Sequence, residues 1–435
     1  MSAGAASGER LRLLVFEPEH SGHRLTGVRV LLDALRGIPD FDRHVAGIAL
    51  ATSAAARRSV EFEGQLADVA HGLDVREVPA APDGLGALDT ARHRAAALRE
   101  ALRAAPADHL YVPWGDGLLQ LLTASRFLPG GVRLPRRLVS ETIMMRAPFG
   151  HEGTPLRVGL PSRLAVSHSP FSRVHLIDPA AHASLLADRY GATDRVRLLP
   201  DPITPTRPMA RDRARAALGL PEGGRMIGCV GPIGERKGTD RLLAGFLDAA
   251  LEPDDTLLLA GAHTASMREL VARAARSHPH RRVVSIDRYL SEAELSEAVC
   301  ALDAMAALYP RFNGSASIVL RAAAVGRLSL GSDRGWMGTM IPRFGLGHVC
   351  DVEDRAGLGR AVEDALAASA RFELPAAGRA FVDYGAISNT RAHWTALLRE
   401  RLGLAPDPAM RPFPAPGAPA PAARPHDADS IGQPG

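Results

Sequence analysis

The chain has 435 residues, of which 46% are hydrophobic and 23% charged, with a formal net charge of +4 and a pI near 9.3. This length exceeds one ordinary domain and predicts two domains of about 200 residues each. Only 5% of residues are aromatic, so the basic balance does not favour a nucleic-acid binder that stacks bases. No run of eighteen apolar residues occurs, which predicts that no helix spans a membrane.

The cysteines and the N-terminal sequence indicate the cellular compartment of the protein. Three cysteines lie far apart in apolar contexts, with neither metal-ligand nor disulfide spacing: Cys229, Cys300 and Cys350. No apolar run precedes the first strand, so no signal peptide is visible and we expect a cytoplasmic protein. An arginine cluster at 133–137 leaves open a peripheral contact with anionic lipid, with a solvated loop as the alternative. The oligomeric state is open.

The first half alternates short apolar runs with amphipathic segments. Strands are predicted at 11–16, 45–50, 75–78, 109–112, 138–141, 163–167 and 174–176. Helices are predicted around Val28–Leu35, over 53–70 and 88–104, and from Gly117 onward. This alternation is typical of α/β domains with a mostly parallel sheet covered by helices on both faces.

The loop after the first strand, EPEHSGHR, is the first candidate site because open α/β sheets bind ligands at the carboxyl ends of their strands. Glu17 or His20 can accept the proton of an attacking hydroxyl in an inverting reaction. Gly22 permits close approach of a ligand, and His23 is placed on the acceptor side. The alternative is that His23 and Arg24 simply open the following helix.

Further polar residues stand at predicted strand ends. Trp114 and Asp116, in WGDG, are expected on the acceptor side, where Trp114 can stack on a sugar ring. A packed core tryptophan is the competing interpretation. Glu141 and His168 stand at two further strand ends, and we expect His168 to be structural.

The interdomain join is predicted near 199–208, LPDPITPTRP, because proline interrupts a helix. This boundary divides the chain into an N-terminal domain at 1–203 and a second domain at 204–387, and a final helix is predicted at 388–403. From 404 to 435 the chain is rich in Pro, Ala and Gly without apolar periodicity, which predicts a disordered tail.

Two glycine-rich loops in the second half of the chain are predicted to bind phosphate. The stretch GCVGPIGERKGTD follows a strand at 226–230 and combines Gly231 and Gly234 with Arg236 and Lys237. Glycines let the backbone approach a ligand, a helix start offers unpaired amides to an anion, and lysine adds a point charge. No Ser/Thr follows the lysine, so the stretch is not a P-loop. A plain strand-to-helix turn is the competing interpretation.

The second loop lies about eighty residues on, in YPRFNGSASIVLRAAAVG. Its small residues expose the start of a helix, where amides can bind an anion: Gly314, Ser315, Ala316 and Ser317. Two such sites together suit a diphosphate better than either alone.

Both segments resemble the C-terminal donor domain of family 4 glycosyltransferases of the GT-B type. That family usually reads G-R-L-x-x-x-K-G in the first segment and E-G-x-G-x-x-x-x-E-A-x-A-x-G-x-P-V in the second, which AAAVG at 322–326 matches. The match covers most of residues 196–370, and the N-terminal half only through its α/β rhythm. The resemblance implies two Rossmann-like domains facing a cleft and a final helix that crosses back to the first domain. It also implies that Lys237 and the amides of 314–317 bind the donor diphosphate.

This chain departs from the family at three positions. Pro232 replaces the usual arginine, and Arg236 is the candidate substitute. Asn313 replaces the glutamate near the donor sugar and is the candidate catalytic amide. Arg321 replaces the glutamate that bonds the ribose in the family; a guanidinium only donates hydrogen bonds, so it cannot take that role. Arg321 is expected instead to add positive charge near a phosphate.

The resemblance implies transfer of a sugar from a nucleoside diphosphate sugar, as co-substrate, to a hydroxyl-bearing acceptor. We expect no cofactor and no metal, because no D-x-D pair stands at a suitable loop. One alternative is a non-catalytic protein of this fold that binds a sugar nucleotide or a glycan. Another is a sugar-nucleotide epimerase, which needs carboxylates in the cleft; Glu17, Glu141 and Asp116 are its candidates.

Overall fold

The computed structural model describes residues 10–20, 24–125, 133–151, 156–187, 195–204, 206–311, 314–405 and 410–414. Within these residues the first half forms one parallel sheet. Its strands are β1 (Leu11–Phe16), β2 (Val45–Thr52), β3 (Asp74–Glu77), β4 (His109–Val112), β5 (Val139–Met144), β6 (Arg173–Leu176) and β7 (Val196–Leu198). Their spatial order is β3-β2-β1-β4-β5-β6-β7.

Helices connect these strands. They are α1 (Arg24–Arg36), α2 (Phe41–His44), α3 (Ala54–Arg57), α4 (Val60–Ala70), α5 (Ala87–Ala104), α6 (Leu118–Ser125), α7 (Leu156–Ser167) and α8 (Pro179–Leu186). Along β1, Leu13 and Val15 pack into one buried cluster while Leu14 and Phe16 pack into another. Successive side chains of a strand point to opposite faces, so helices bury both faces of this sheet.

A second parallel sheet follows, in the order β10-β9-β8-β11-β12-β13. Its strands are β8 (Met226–Val230), β9 (Thr256–Ala260), β10 (Arg282–Ile286), β11 (Ala304–Ala307), β12 (Leu328–Ser332) and β13 (Gly347–Cys350). Its helices are α9 (Arg211–Ala217), α10 (Thr239–Asp248), α11 (Ala265–Ser277), α12 (Glu292–Ala301), α13 (Ser317–Ala324), α14 (Gly335–Phe344), α15 (Arg355–Ser369), α16 (Ala376–Tyr384) and α17 (Ile387–Arg401).

The strand order places the candidate loops together. In each sheet the order reverses direction at one neighbouring pair, β1 beside β4 and β8 beside β11. Ligands of open α/β sheets bind outside the carboxyl ends of the strands at such a reversal. The four loops that the sequence indicated follow these four strands.

Two local predictions were wrong in detail. Residues 163–167, expected as a strand, form the end of α7. An apolar run this short does not distinguish a strand from a helix by periodicity. The helix expected over 53–70 is two helices, because Ser59 accepts a hydrogen bond from the amide of Phe62 and starts α4.

The last helix, α17, packs on the first sheet's α1. Trp394 and Leu398 lie in the same buried cluster as Leu13, and Thr395 donates a hydrogen bond to the carbonyl of Ala34 at 3.2 Å. A second link between the halves is His151, whose Nε2 lies 2.6 Å from Asp178 Oδ2 and whose Nδ1 lies 3.4 Å from Thr339 Oγ1 on α14.

Within the tail predicted from 404 onward, residues 410–414 pack against the second half of the chain. The ring of Phe413 packs edge-on against Phe344, Phe381 and Tyr384. The amide of Arg411 donates to Asn389 Oδ1 at 2.7 Å. A half-buried aromatic ring packed against three others offsets part of the cost of ordering a proline-rich segment, which composition alone does not reveal. Residues 406–409 and 415–435 lie outside the described residues.

Among the helices of the described ranges, none combines the length and apolar character needed to cross a bilayer.

Candidate functional site

The loop after β8 needs glycine for its shape. Gly231 has φ 93°, in the left-handed region, and its amide donates to the carbonyl of Ala260 at 2.8 Å. Gly238 has φ 68°, and a Cβ there would lie 2.2 Å from the carbonyl oxygen of Leu308. The loop after β8 is therefore packed directly against the segment that follows β11. Gly234 lies between Gly231 and Gly238 in the sequence and precedes a short 3₁₀ helix, Glu235–Lys237.

Lys237 is folded back beneath this loop. Its ammonium donates to the carbonyl of Val230 at 2.5 Å, and the residue is 8% exposed. Burial lowers its pKa, and the nearby Arg236 adds to this, against the influence of Cys229. A Cβ on Gly231 would stand 2.8 Å from Nζ, so the loop backbone covers the amine closely.

Lys237 is also the only lysine of the chain; every other of its 52 lysine and arginine side chains is arginine. Arginine has a broad planar head, whereas an ammonium is a compact point charge. The space under the loop, closed by Gly231, therefore suits lysine. The presence of a single lysine among 52 basic residues is visible in the sequence alone and distinguishes this position.

The second loop ends in a helix start without a side-chain cap. Ala316 is the N-cap of α13, and no side chain bonds the first-turn amides among the described residues. The Oγ of Ser315 is buried and has no hydrogen-bond partner within the described ranges. Gly314 and Ser317 flank this point. Arg236 lies with its guanidinium 5.6 Å from the ring of Tyr309, so the two loops meet at this edge of the sheet. Such a helix start can bind an anion.

Arg321 does not add a free charge near this helix start. It is 3% exposed, and both terminal nitrogens donate to Glu292 Oε2 at 2.9 Å. The expected extra positive charge near a phosphate is therefore neutralised by a carboxylate from α12.

On the first sheet, Glu17 ends up buried at the carboxyl end of β1. Its Oε1 accepts from Arg24 at 3.0 Å and from the amide of Glu19 at 3.2 Å, while Oε2 has no partner among the described residues. Burial raises the pKa of Glu17, against the positive charges of Arg24 and Arg94.

Trp114 and Asp116 join the same group. The guanidinium of Arg24 lies 4.5 Å from the Trp114 ring centroid, a cation–π contact. Asp116 Oδ1 accepts from the amide of Arg146 at 3.2 Å, and Oδ2 is buried without a described partner. Burial raises the pKa of Asp116 to about 6 from an ordinary 3.8, against the Arg146 amide bond and the charges of Arg146, Arg94 and Arg24.

Arg94 was missed by sequence reasoning. It is 2% exposed and donates to the carbonyls of Trp114 and Asp116, the latter at 3.2 Å. The signal was present: Arg94 shares the apolar face of α5 with Ala91, Ala95 and Leu98. A charged residue on such a face needs a buried partner, which the sequence does not identify.

The other candidates divide into three groups. His20 is a half-buried residue of the loop after β1, with no role fixed by its contacts. Gly22, His23 and Asn313 lie outside the described residues. Glu141 is completely buried inside the first sheet, between His175 Nε2 at 2.7 Å and His109 Nε2 at 3.2 Å, and not at a strand end. Although burial raises the pKa of Glu141, these two contacts hold it well below its usual range.

No group of His, Cys, Asp and Glu suited to a metal ion occurs among the residues whose placement is given. The chain has two parallel sheets, and in each sheet the strand order reverses between two neighbouring strands whose following loops lie side by side. The last helix returns to the first sheet. This architecture is the GT-B class of folds.

Comparisons with known proteins agree with this class. No protein-family model matches the chain, and no curated protein matches it. Among solved structures, it is similar to a sucrose-phosphate synthase from Thermosynechococcus elongatus (TM-score 0.65, 17% identity, 91% of this chain and 100% of that chain). It is also similar to HepE from Anabaena in complex with UDP and glucose (0.59, 15%, 91% and 100%). A third is WaaG, a glycosyltransferase involved in lipopolysaccharide biosynthesis (0.61, 14%, 89% and 99%). At these identities the likeness establishes the fold.

Proposed function

We propose that the protein is a glycosyltransferase that moves a sugar from a nucleoside diphosphate sugar to a hydroxyl-bearing acceptor. The observation that carries the proposal is that the glycine loop holding the chain's only lysine packs against the segment, Leu308 and Tyr309, that leads from β11 towards the uncapped start of α13. Backbone amides and an ammonium at one place form an anion site. The similar structure of HepE, which contains UDP and glucose, supports a nucleoside diphosphate as that anion.

In this reaction the nucleoside diphosphate leaves with additional negative charge, which the protein must stabilise. The amides at 314–317 and Lys237 supply fixed dipoles and charge where negative charge develops, and this requires no metal. On the other side, Asp116 and Glu17 each keep one buried carboxylate oxygen without a described partner. Their raised pKa values suit a group that takes a proton from the acceptor hydroxyl.

The proposal divides the chain into 1–203 for the acceptor, 204–387 for the donor and 388–403 as the returning helix. It also includes a cytoplasmic location, and a bound acceptor that is a glycan, a lipid-linked sugar or a small molecule.

The first experiment is a thermal-shift and calorimetric screen against nucleoside diphosphates and their sugars. A ligand at about a hundred times its dissociation constant stabilises the folded state by about 2.7 kcal/mol. We expect a selective response that Lys237→Ala removes. Arg276→Ala is the control, because it removes an exposed positive charge from the last turn of α11, which leads into the amino end of β10 at the opposite edge of the second sheet. If no diphosphate binds the wild type, the proposal is wrong.

A non-catalytic binding protein is the second candidate, favoured by the burial of Lys237 and by the neutralised Arg321. Binding of a sugar nucleotide without turnover by any acceptor panel supports it. The epimerase hypothesis needs carboxylates in the cleft, and one of its three candidates, Glu141, is instead enclosed by two histidines inside the sheet.

A further inference from the structure

The pair formed by Arg321 and Glu292 has an asymmetry. The Arg321 side chain is 4% exposed, whereas that of Glu292 is 57% exposed. Both arginine nitrogens reach the same oxygen, Oε2, at 2.9 Å, and Oε1 has no partner among the described residues. A buried guanidinium therefore holds one oxygen of an exposed carboxylate and leaves the other available to solvent.

The place of this carboxylate in the fold is also specific. Glu292 is the first residue of α12, which follows the carboxyl end of β10, and α13 follows the carboxyl end of β11. Both helix starts therefore lie at the same edge of the second sheet. Arg321 stands four residues into α13, about 6 Å along its axis, and its side chain reaches Glu292 from there. The carboxylate is thus presented close to the anion site at the start of α13.

We infer that Glu292 accepts hydrogen bonds from the ribose hydroxyls of the donor nucleotide, and that Arg321 is the residue that positions it. This inference rests on the proposed function. A ribose offers two neighbouring hydroxyl donors a short covalent distance from its diphosphate, and an ionised carboxylate is an acceptor only. A carboxylate near a phosphate-binding helix start is a known way to bind ribose in open α/β folds.

Tyr289 adds a surface for the base. It lies in the loop between β10 and α12, three residues before Glu292, and is 81% exposed. An exposed aromatic ring can stack on any base, since every base has a π face. Base, ribose and diphosphate then follow one another from Tyr289 through Glu292 to the start of α13.

The test compares ligands as well as variants. Calorimetry measures the affinity of the full chain for UDP, for 2′,3′-dideoxyuridine diphosphate and for inorganic pyrophosphate, and other bases replace uridine if the first screen selects them. We expect the dideoxy ligand to bind about ten- to a hundredfold more weakly than UDP, because hydrogen bonds to a charged group are lost. Glu292→Gln is expected to lose affinity for UDP by a similar factor and to keep its affinity for pyrophosphate.

Glu297→Gln removes the same charge from the next turn of α12 and is expected to leave all three affinities unchanged. In Glu292→Gln the difference between UDP and its dideoxy form is expected to shrink, which a merely structural ion pair would not produce. If the variant fails to fold, the comparison of ligands on the wild type can still refute the proposal, because equal binding of UDP and its dideoxy form excludes a contact with the ribose hydroxyls.

Two negative results are distinguishable. If UDP and its dideoxy form bind the wild type equally, or if Glu292→Gln keeps the full difference between them, the ribose role of Glu292 is wrong and the donor site stands. If neither a nucleoside diphosphate nor pyrophosphate binds the wild type, the proposed function itself falls.

Discussion

Asp116 offers a prediction in which stability and pH are linked. Its pKa in the folded protein is about 6, against 3.8 for an ordinary aspartate, because its environment is buried. The folded state therefore binds the proton more tightly than the unfolded chain does. Stability falls as the pH rises from about 4 to about 6, and at neutral pH the charged carboxylate is a cost. Asp116→Asn removes this cost while Oδ1 can still accept from the Arg146 amide.

The magnitude follows from the shift. With about 1.36 kcal/mol per pKa unit, the penalty is about 1.6 kcal/mol at about pH 5 and about 2.9 kcal/mol at about pH 7. The residue keeps some exposure, so these are upper values. We expect Asp116→Asn to be more stable than the wild type, and its advantage to grow by about 1 kcal/mol between these two pH values.

The assay is urea unfolding of both proteins across this pH range. Asp108→Asn is a control of opposite sign, because a hydrogen bond from Arg12 lowers the pKa of Asp108 and its charge stabilises the folded state. A variant at 116 that is less stable than the wild type by a pH-independent amount would refute the burial argument. If Asp116 also takes the acceptor's proton, kcat/KM of the wild type falls below about pH 6 and the variant loses most activity.

Three further predictions concern the second half of the chain and its tail. Lys237→Arg keeps the charge but brings a larger head beneath Gly231, and we expect weaker nucleotide binding by calorimetry; unchanged affinity would show that the space is not restrictive. Gly238→Ala places a Cβ 2.2 Å from a carbonyl at positive φ, and we expect a loss of several kcal/mol in denaturant unfolding, whereas Gly219→Ala, with open space, loses about 1 kcal/mol. Phe413→Ala is expected to cost about 1–3 kcal/mol and to speed proteolysis after residue 405; no change in either would contradict its packing.

The sequence by itself determined the class of fold and the placement of the two glycine-rich loops after β8 and β11. The α/β alternation depends on periodicity within each segment, and the turn at Gly231 depends on a backbone conformation that favours glycine. Both are local properties, so they can be predicted without knowing which segments touch. The helix at 156–167 was the local exception, because the short apolar run at 164–166 fits the period of a strand as well as that of a helix.

Only the tertiary structure decided which side chains from distant parts of the sequence are in contact. Arg94 reaches the Asp116 loop from α5, Glu292 neutralises Arg321 from another helix, and Phe413 finds three aromatic rings far away in the chain. Each of these contacts joins residues at least 22 positions apart. Burial then sets the pKa of Asp116 and Lys237, because desolvation depends on what packs around a group and not on its neighbours in sequence.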